Sequence, residues 1–170
     1  MVGAQERFAR SVGGAGHVFG FEPIPSMPAV ARRELARFPQ YHLQTAGLGG
    51  TRGQLRFTFP RDSSHISTDS DEDDSVLCDM TSIDDFVEEH RLDRVNRIKL
   101  DVEGAEPQAL AGGEKTILKY RPKLIICLYH KPSHMIDIPL FIHNLAPEYT
   151  MHVAYSSCLF TDTVLYARIP

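Results

Sequence analysis

Four side chains able to do chemistry stand just after apolar runs of the sequence. Glu22 follows HVFGF, Asp101 and Glu103 follow RIKL, and His130 follows KLIICLY. Carboxylates accept hydrogen bonds from hydroxyl groups or take up protons, and histidine as a residue type changes its charge near neutral pH. The pattern therefore indicates ligand binding and proton transfer at the ends of strands.

Strands and helices that alternate along the chain must position these side chains. Period-two alternation predicts strands, and apolar residues at helical spacing predict helices, the second of them capped by Thr81 or Ser82. The predicted strands are HVFGF, YHLQTAGLGG, GQLRFTFP, VLCDM, RVNRIKLDVEG, KLIICLYHK, YTMHVAYSS and TDTVLYARI, and the predicted helices are MPAVARRELARF, IDDFVEEHRL, two short helices around Gly112-Gly113, and IPLFIHNLA.

This order of elements predicts an α/β fold. We expect a mostly parallel sheet covered on both faces, with an antiparallel C-terminal strand pair at its edge. KLIICLYHK is the most continuous apolar run, which is typical of a central strand buried on both faces. Crossovers of one hand should bring the strand ends that carry Glu22, Asp101 and His130 to one rim of the sheet.

Composition and charge narrow the classes of protein. The 170 residues suit one domain over 1–170, and a hydrophobic content of 42% with a net charge of -4 is ordinary for a soluble globular protein. Scattered Lys and Arg argue against nucleic acid as a partner. Without a signal peptide, a membrane span or paired cysteines, we expect a cytoplasmic protein with no membrane partner. The oligomeric state stays open.

Residues 61–75, RDSSHISTDSDEDDS, are polar and acidic without apolar periodicity. Such a segment cannot bury apolar surface, so we expect a flexible solvated loop.

Glu22 is the predicted ligand of a nucleotide-like cofactor. A carboxylate at the tip of the second strand of a nucleotide-binding unit is placed to accept hydrogen bonds from both ribose hydroxyls. The alternative is a surface acid ahead of a proline turn.

The string IKLDVEGAE at 98–106, with FEPIP, TSIDDFVEEH, LYHK and TDTVLYA in order, resembles the FkbM type of S-adenosylmethionine-dependent methyltransferase over about Gly16 to Ala167. The resemblance implies a Rossmann-like class I methyltransferase sheet and methyl transfer to an oxygen, often a hydroxyl of a sugar or small metabolite. It assigns Glu22 to the ribose of S-adenosylmethionine and Asp101 to the rim that faces this donor. Glu103 and Glu106 fall where the family repeats its acids.

An oxygen nucleophile needs a base for its proton, and Asp101, Glu103 and His130 are the candidates. A carboxylate in this role would need a pKa raised by burial. Lys131 could orient an anionic acceptor or simply be a solvated lysine.

The beginning of the chain departs from the family pattern, in which a first strand ends in a glycine-rich turn. VGAQ at 2–5 is the predicted remnant of that turn, so Gly3 and Ala4 are predicted to contact the donor. We expect the first strand to be missing or vestigial and the domain to be N-terminally incomplete.

Three functions remain open: a methyltransferase acting on a small-molecule or glycan acceptor, an inactive remnant of the fold that acts as a binding module, and a metal-dependent hydrolase. The hydrolase would use Asp101, Glu103, Glu106 and His130, which have the composition of an oxygen-rich metal site. No HExxH motif accompanies them, so no metal ligand is predicted. The other histidines are expected to be surface or core residues.

Overall fold

A computed structural model describes residues 16–24, 33, 38–58, 75–155 and 163–170 of the chain. The contacts divide it into two compact units, the first comprising Met1–Gly47 and Gly53–Met80 and the second Leu48–Arg52 and Thr81–Pro170. The described elements are, in chain order, β1 (Val18–Phe21), β2 (Tyr41–Gln44), β3 (Gly47–Leu48), β4 (Gly53–Thr58), β5 (Ser75–Thr81), α1 (Ile83–Glu89), β6 (Arg97–Leu100), α2 (Glu106–Ala111), α3 (Glu114–Tyr120), β7 (Lys123–Cys127), α4 (His134–Leu145), β8 (Thr150–Tyr155) and β9 (Thr163–Arg168).

The described strands form three sheets, with the orders β1-β2, β3-β5-β4 and β6-β7-β9-β8. In the first unit β1 runs parallel to β2, and β4 runs antiparallel to β5, with Leu55 opposite Cys78. The predicted strands HVFGF, GQLRFTFP and VLCDM are thereby confirmed in type.

The four-stranded sheet of the second unit carries the elements that matter for chemistry. β6 and β7 run parallel, with Ile98 opposite Leu124, whereas β9 runs antiparallel to both β7 and β8. The predicted antiparallel C-terminal pair is confirmed. A mostly parallel sheet is not confirmed, because β9 returns between β7 and β8 and leaves β6–β7 as the parallel pair of this sheet.

One face of this sheet is buried and the other is largely open. Leu100, Leu124, Ile126 and Leu165 have almost no exposed surface, and buried residues of α2, α3 and α4 contribute to the same core. On the alternate positions of β7, Lys123 is exposed, Ile125 is half-buried and Cys127 is buried. The prediction that this strand is buried on both faces therefore holds only at its C-terminal end, and the rest of β7 alternates as in a sheet covered on one face.

The helix boundaries follow local signals in the sequence. The Ser82 hydroxyl accepts a hydrogen bond from the Asp85 N–H at 3.0 Å and caps α1, as predicted. The predicted break at Gly112-Gly113 separates α2 from α3. α4 begins at His134 rather than at Ile138, and Pro139 lies inside it.

Several predictions lie outside the described residues. They are most of the helix MPAVARRELARF and all of the acidic loop except Ser75, which begins β5. Cys78 and Cys127 are free and buried. None of the described helices is long and apolar enough to cross a membrane.

Gly112 packs so closely against the backbone of Gly49 and Gly50 that a side chain at this position would clash with it. A Cβ built on it would lie 2.3 Å from the Gly49 carbonyl oxygen and 3.0 Å from that of Gly50. We expect Gly112→Ala to lower the free energy of unfolding by about 1–3 kcal/mol or more, because backbone atoms cannot move aside cheaply. Urea denaturation followed by circular dichroism measures it.

The matched control is Gly53→Ala, because a Cβ on Gly53 would meet nothing within 4 Å. Its stability should change by less than about 1 kcal/mol. Equal losses in the two variants would contradict this packing.

Candidate active site

Asp101 follows β6 and is held by two donors. Lys99 Nζ lies 2.8 Å from Oδ2, and the Tyr129 hydroxyl donates to Oδ1 at 2.7 Å. Partial burial on its own raises the pKa of the Asp101 carboxyl, but the hydrogen bonds from Lys99 and Tyr129 and the charge of Lys99 outweigh it, so the pKa is lowered. Asp101 is consequently an ionised group at neutral pH.

Cys127 and Tyr129, which lie beside Asp101, stay protonated at neutral pH. Burial, followed by the charge of Asp101, raises the pKa of the Cys127 thiol to about 12. Burial and the hydrogen bond to Asp101 also raise the pKa of Tyr129. Asp101 thus sits among donors that stabilise its negative charge, which weakens it as a base.

The chain then turns sharply through Glu103 and Gly104. Both have a left-handed backbone, with φ of 52° and 96°, and the Ala105 N–H donates to the Val102 carbonyl oxygen at 3.1 Å. Two successive positive φ values describe a type I′ turn, in which a residue with a side chain is strained. A Cβ on Gly104 would lie 3.1 Å from Lys131 Cε, so the stem of Lys131 lies against this turn.

Glu106 begins α2 and has no exposed surface. Its Oε1 accepts a hydrogen bond from the Val102 N–H at 2.9 Å and lies 2.8 Å from His130 Nδ1. Its Oε2 lies 3.4 Å from Nδ1 of His134, the first residue of α4. The turn therefore brings a buried carboxylate between two histidines.

His130 connects this buried group to the rim of the site. Its Nε2 lies 3.4 Å from a Glu103 carboxylate oxygen and 3.9 Å from Oδ1 of Asp101. The imidazole side chain is only 10% exposed, and its ring centre lies 4.2 Å from that of Tyr129. One edge of the ring faces the interior and the other faces two carboxylates.

In the first unit, Glu22 follows β1 and is buried, with 6% of its surface exposed. Its Oε1 accepts a hydrogen bond from the Ile24 N–H at 3.2 Å. Burial, followed by the charge of Glu22, raises the pKa of Tyr41 to about 12, so the Tyr41 hydroxyl keeps its proton. That hydroxyl is buried and has no hydrogen-bond partner among the described residues.

The structure thus brings three predicted site residues together, Asp101, Glu103 and His130, at the ends of β6 and β7. Glu22 lies in the first unit. Gly3 and Ala4 lie outside the described residues. The burial of Glu106 and its contact with His134 were not predicted, because they depend on the turn at Glu103 and Gly104.

No group of three or more His, Cys, Asp or Glu side chains within the described ranges is arranged to hold a metal ion. The hydrolase alternative, which needs such a group, is not favoured.

The Asp101–Tyr129 contact can be tested through its pH dependence. Tyr129→Phe should cost about 1–2 kcal/mol of unfolding free energy at pH 7, because it removes a donor from a partly buried carboxylate. The folded-state pKa of Asp101 lies below its ordinary value. The stabilisation is therefore present above the ordinary value and is lost as pH falls through the lowered one.

Denaturation of the unaltered chain and of Tyr129→Phe from neutral to acid pH measures the difference in unfolding free energy. Tyr155→Phe, at an exposed tyrosine, is the control. A loss that stays constant down to the lowest pH would contradict the role of the Asp101 charge.

The chain is similar to known proteins in sequence and in fold. A family model described as the methyltransferase FkbM domain matches residues 2–149. A crystal structure of a methyltransferase FkbM from Methylobacillus flagellatus KT is similar, with a TM-score of 0.76 and 24% sequence identity. The match covers 98% of this chain and 40% of that one, so the chain spans about 40% of the length of that protein.

No curated protein matches the chain. The likeness to the crystal structure, at its low identity, shows a common mixed α/β fold. The family model covers most of the sequence. The chain therefore belongs to the FkbM methyltransferase domain family.

Proposed function

We propose that the chain is part of an S-adenosylmethionine-dependent methyltransferase that methylates a hydroxyl oxygen of a sugar or small metabolite. The observation that carries this proposal is the cluster of Asp101, Glu103 and His130 at the ends of two parallel strands in a chain of the FkbM family. Ligands of α/β sheets bind outside the carboxyl ends of their strands. The cluster therefore lies where an acceptor would meet acid–base groups.

The first unit fits the ribose of the donor. The buried Glu22 carboxylate can accept hydrogen bonds from both ribose hydroxyls, and the unpartnered Tyr41 hydroxyl can donate one to a ribose oxygen. A buried polar group without a partner is costly, so a ligand that supplies one is favoured. Gly3 and Ala4 remain predicted contacts of the same donor.

When bound, S-adenosylmethionine supplies a methyl group on a positively charged sulfur. The ionised Asp101 contributes negative charge to the rim of the second unit, and Glu103 and His130 are the neighbours able to accept a proton from the acceptor hydroxyl. A small-molecule or glycan acceptor, no nucleic-acid or membrane partner, and a cytoplasmic location complete the proposal.

Donor binding tests this function directly. Isothermal titration of the chain with S-adenosylmethionine should give measurable heat, and Glu22→Gln should weaken binding about tenfold or more because a charged acceptor is lost. Glutamine can still accept the Ile24 N–H, so the local fold is kept.

Asp79→Asn is the matched control, since Asp79 is an exposed acid of the same unit. It should bind the donor as the unaltered chain does. The absence of heat at millimolar donor, or equal weakening by both variants, would overturn the assignment.

A further inference from the structure

Glu106 is the most buried ionisable group of the site, and it is not among the predicted catalytic or binding residues. An ionised carboxylate without exposed surface is costly unless hydrogen bonds and opposite charge compensate it. The Val102 N–H supplies one hydrogen bond, and His130 and His134 are the described groups within 3.4 Å of its oxygens that can carry a positive charge. The carboxylate and the two rings form one electrostatic cluster.

Both histidines turn the same ring nitrogen toward Glu106. Nδ1 of His130 lies 2.8 Å from Oε1, and Nδ1 of His134 lies 3.4 Å from Oε2, although neither nitrogen is aligned for a full hydrogen bond with a described residue. Carboxylate oxygens lie near both ring nitrogens of His130, but the one beside Nδ1 is nearer, at 2.8 Å against 3.4 and 3.9 Å beside Nε2, so a hydrogen on Nδ1 is favoured in the neutral ring. In neutral His130 the Nε2 atom is then left with a free electron pair.

The two histidines differ in what their other edge can reach. His134 is 2% exposed and lies in the core at the start of α4. His130 directs Nε2 toward Glu103 and Asp101 at the rim, within 3.4 and 3.9 Å. His130 is therefore the ring that links the buried carboxylate to the place where an acceptor would bind.

Resting on the function proposed above, we propose that His130 takes the acceptor's proton on Nε2 and that Glu106 is the positioning residue that holds His130 in the required tautomer. As the O–H bond breaks, its electron pair stays on the acceptor oxygen, which forms the bond to the methyl carbon. The carbon–sulfur bond of the sulfonium donor breaks, and its electron pair leaves with a neutral thioether. The proton remains on His130.

The surroundings of His130 suit the positive charge that results. Glu106 of α2 lies on one side, and Glu103 of the turn and Asp101 after β6 lie on the other. Tyr129 after β7 contributes its ring, and Lys131 lies against Gly104. Three carboxylates and one lysine thus surround the imidazole.

The other two candidate bases are less well placed. Asp101 is engaged by Lys99 and Tyr129, and its lowered pKa makes it a weak proton acceptor. The Glu103 side chain is 75% exposed and lies 3.4 Å from His130 Nε2, so most of it faces solvent. His130, by contrast, directs Nε2 toward the rim, while its Nδ1 lies 2.8 Å from the buried Glu106.

The tautomer is measurable without turnover. Nitrogen-15 and proton NMR of the histidine rings should show Nδ1 of His130 protonated and Nε2 unprotonated in the neutral form of the unaltered chain. Glu106→Gln should abolish this preference, while the exposed Glu114→Gln should leave it unchanged. A neutral His130 protonated on Nε2, or a tautomer that Glu106→Gln does not alter, would overturn the inference.

Steady-state kinetics of the variants provide a second test. His130→Asn and Glu106→Gln should each lower kcat about a hundredfold or more, with little change in the acceptor KM. His143→Asn, at an exposed histidine of α4, should behave as the unaltered chain. An unchanged kcat in either variant, or a loss that appears only in the acceptor KM, would contradict the assigned roles.

Titration with the donor separates this inference from the proposed function. Donor binding should be equal in the unaltered chain, His130→Asn and Glu106→Gln, because neither residue is assigned to the donor. A chain that binds no donor overturns the methyltransferase proposal, and the NMR arm then decides the positioning role of Glu106 by itself. If Glu106→Gln binds the donor fully and changes the tautomer of His130 but leaves kcat unaltered, only the role of His130 as base is overturned.

Discussion

The arrangement of the second unit depends on a carboxylate that has no contact with water. Glu106 can be buried because the Val102 N–H and two histidines surround it, and these partners come from the turn after β6, the end of β7 and the start of α4. The hydrogen bond from Val102 fixes the turn relative to α2, and His130 fixes the end of β7 relative to both. One buried carboxyl group thus contacts all the segments that carry the site.

The left-handed turn explains how the repeated acids of DVEGAE take different roles. Positive φ at Glu103 and Gly104 reverses the chain, so Glu103 faces solvent while Glu106 enters the core. Asp101, before the turn, lies between these extremes and is held by Lys99 and Tyr129. Three acids within six residues therefore have three environments, and acid–base roles divide according to environment rather than residue type.

Much of the fold could be predicted from local signals. The Ser82 cap, the Gly112-Gly113 break and the antiparallel C-terminal strands depend on nearby residues, and all three are confirmed.

Burial of β7 on both faces could not be judged, because an apolar run does not reveal what covers each face. The contact of Glu106 with two histidines was equally hidden, since it depends on a turn conformation and on segments about 25 residues apart in sequence. The placement of Asp101, Glu103 and His130 at neighbouring strand ends followed from topology, whereas the lowered pKa of Asp101 depends on side-chain contacts that no pattern shows.

We propose that these groups serve methyl transfer to oxygen. The most direct measurement is mass spectrometry of hydroxyl-bearing sugars and small metabolites incubated with the chain and S-adenosylmethionine whose methyl group is deuterated. We expect an acceptor that gains the deuterated methyl group on an oxygen, and no such product with His130→Asn. A chain that binds the donor but labels none of these acceptors, or labels them equally well without His130, would contradict the proposal.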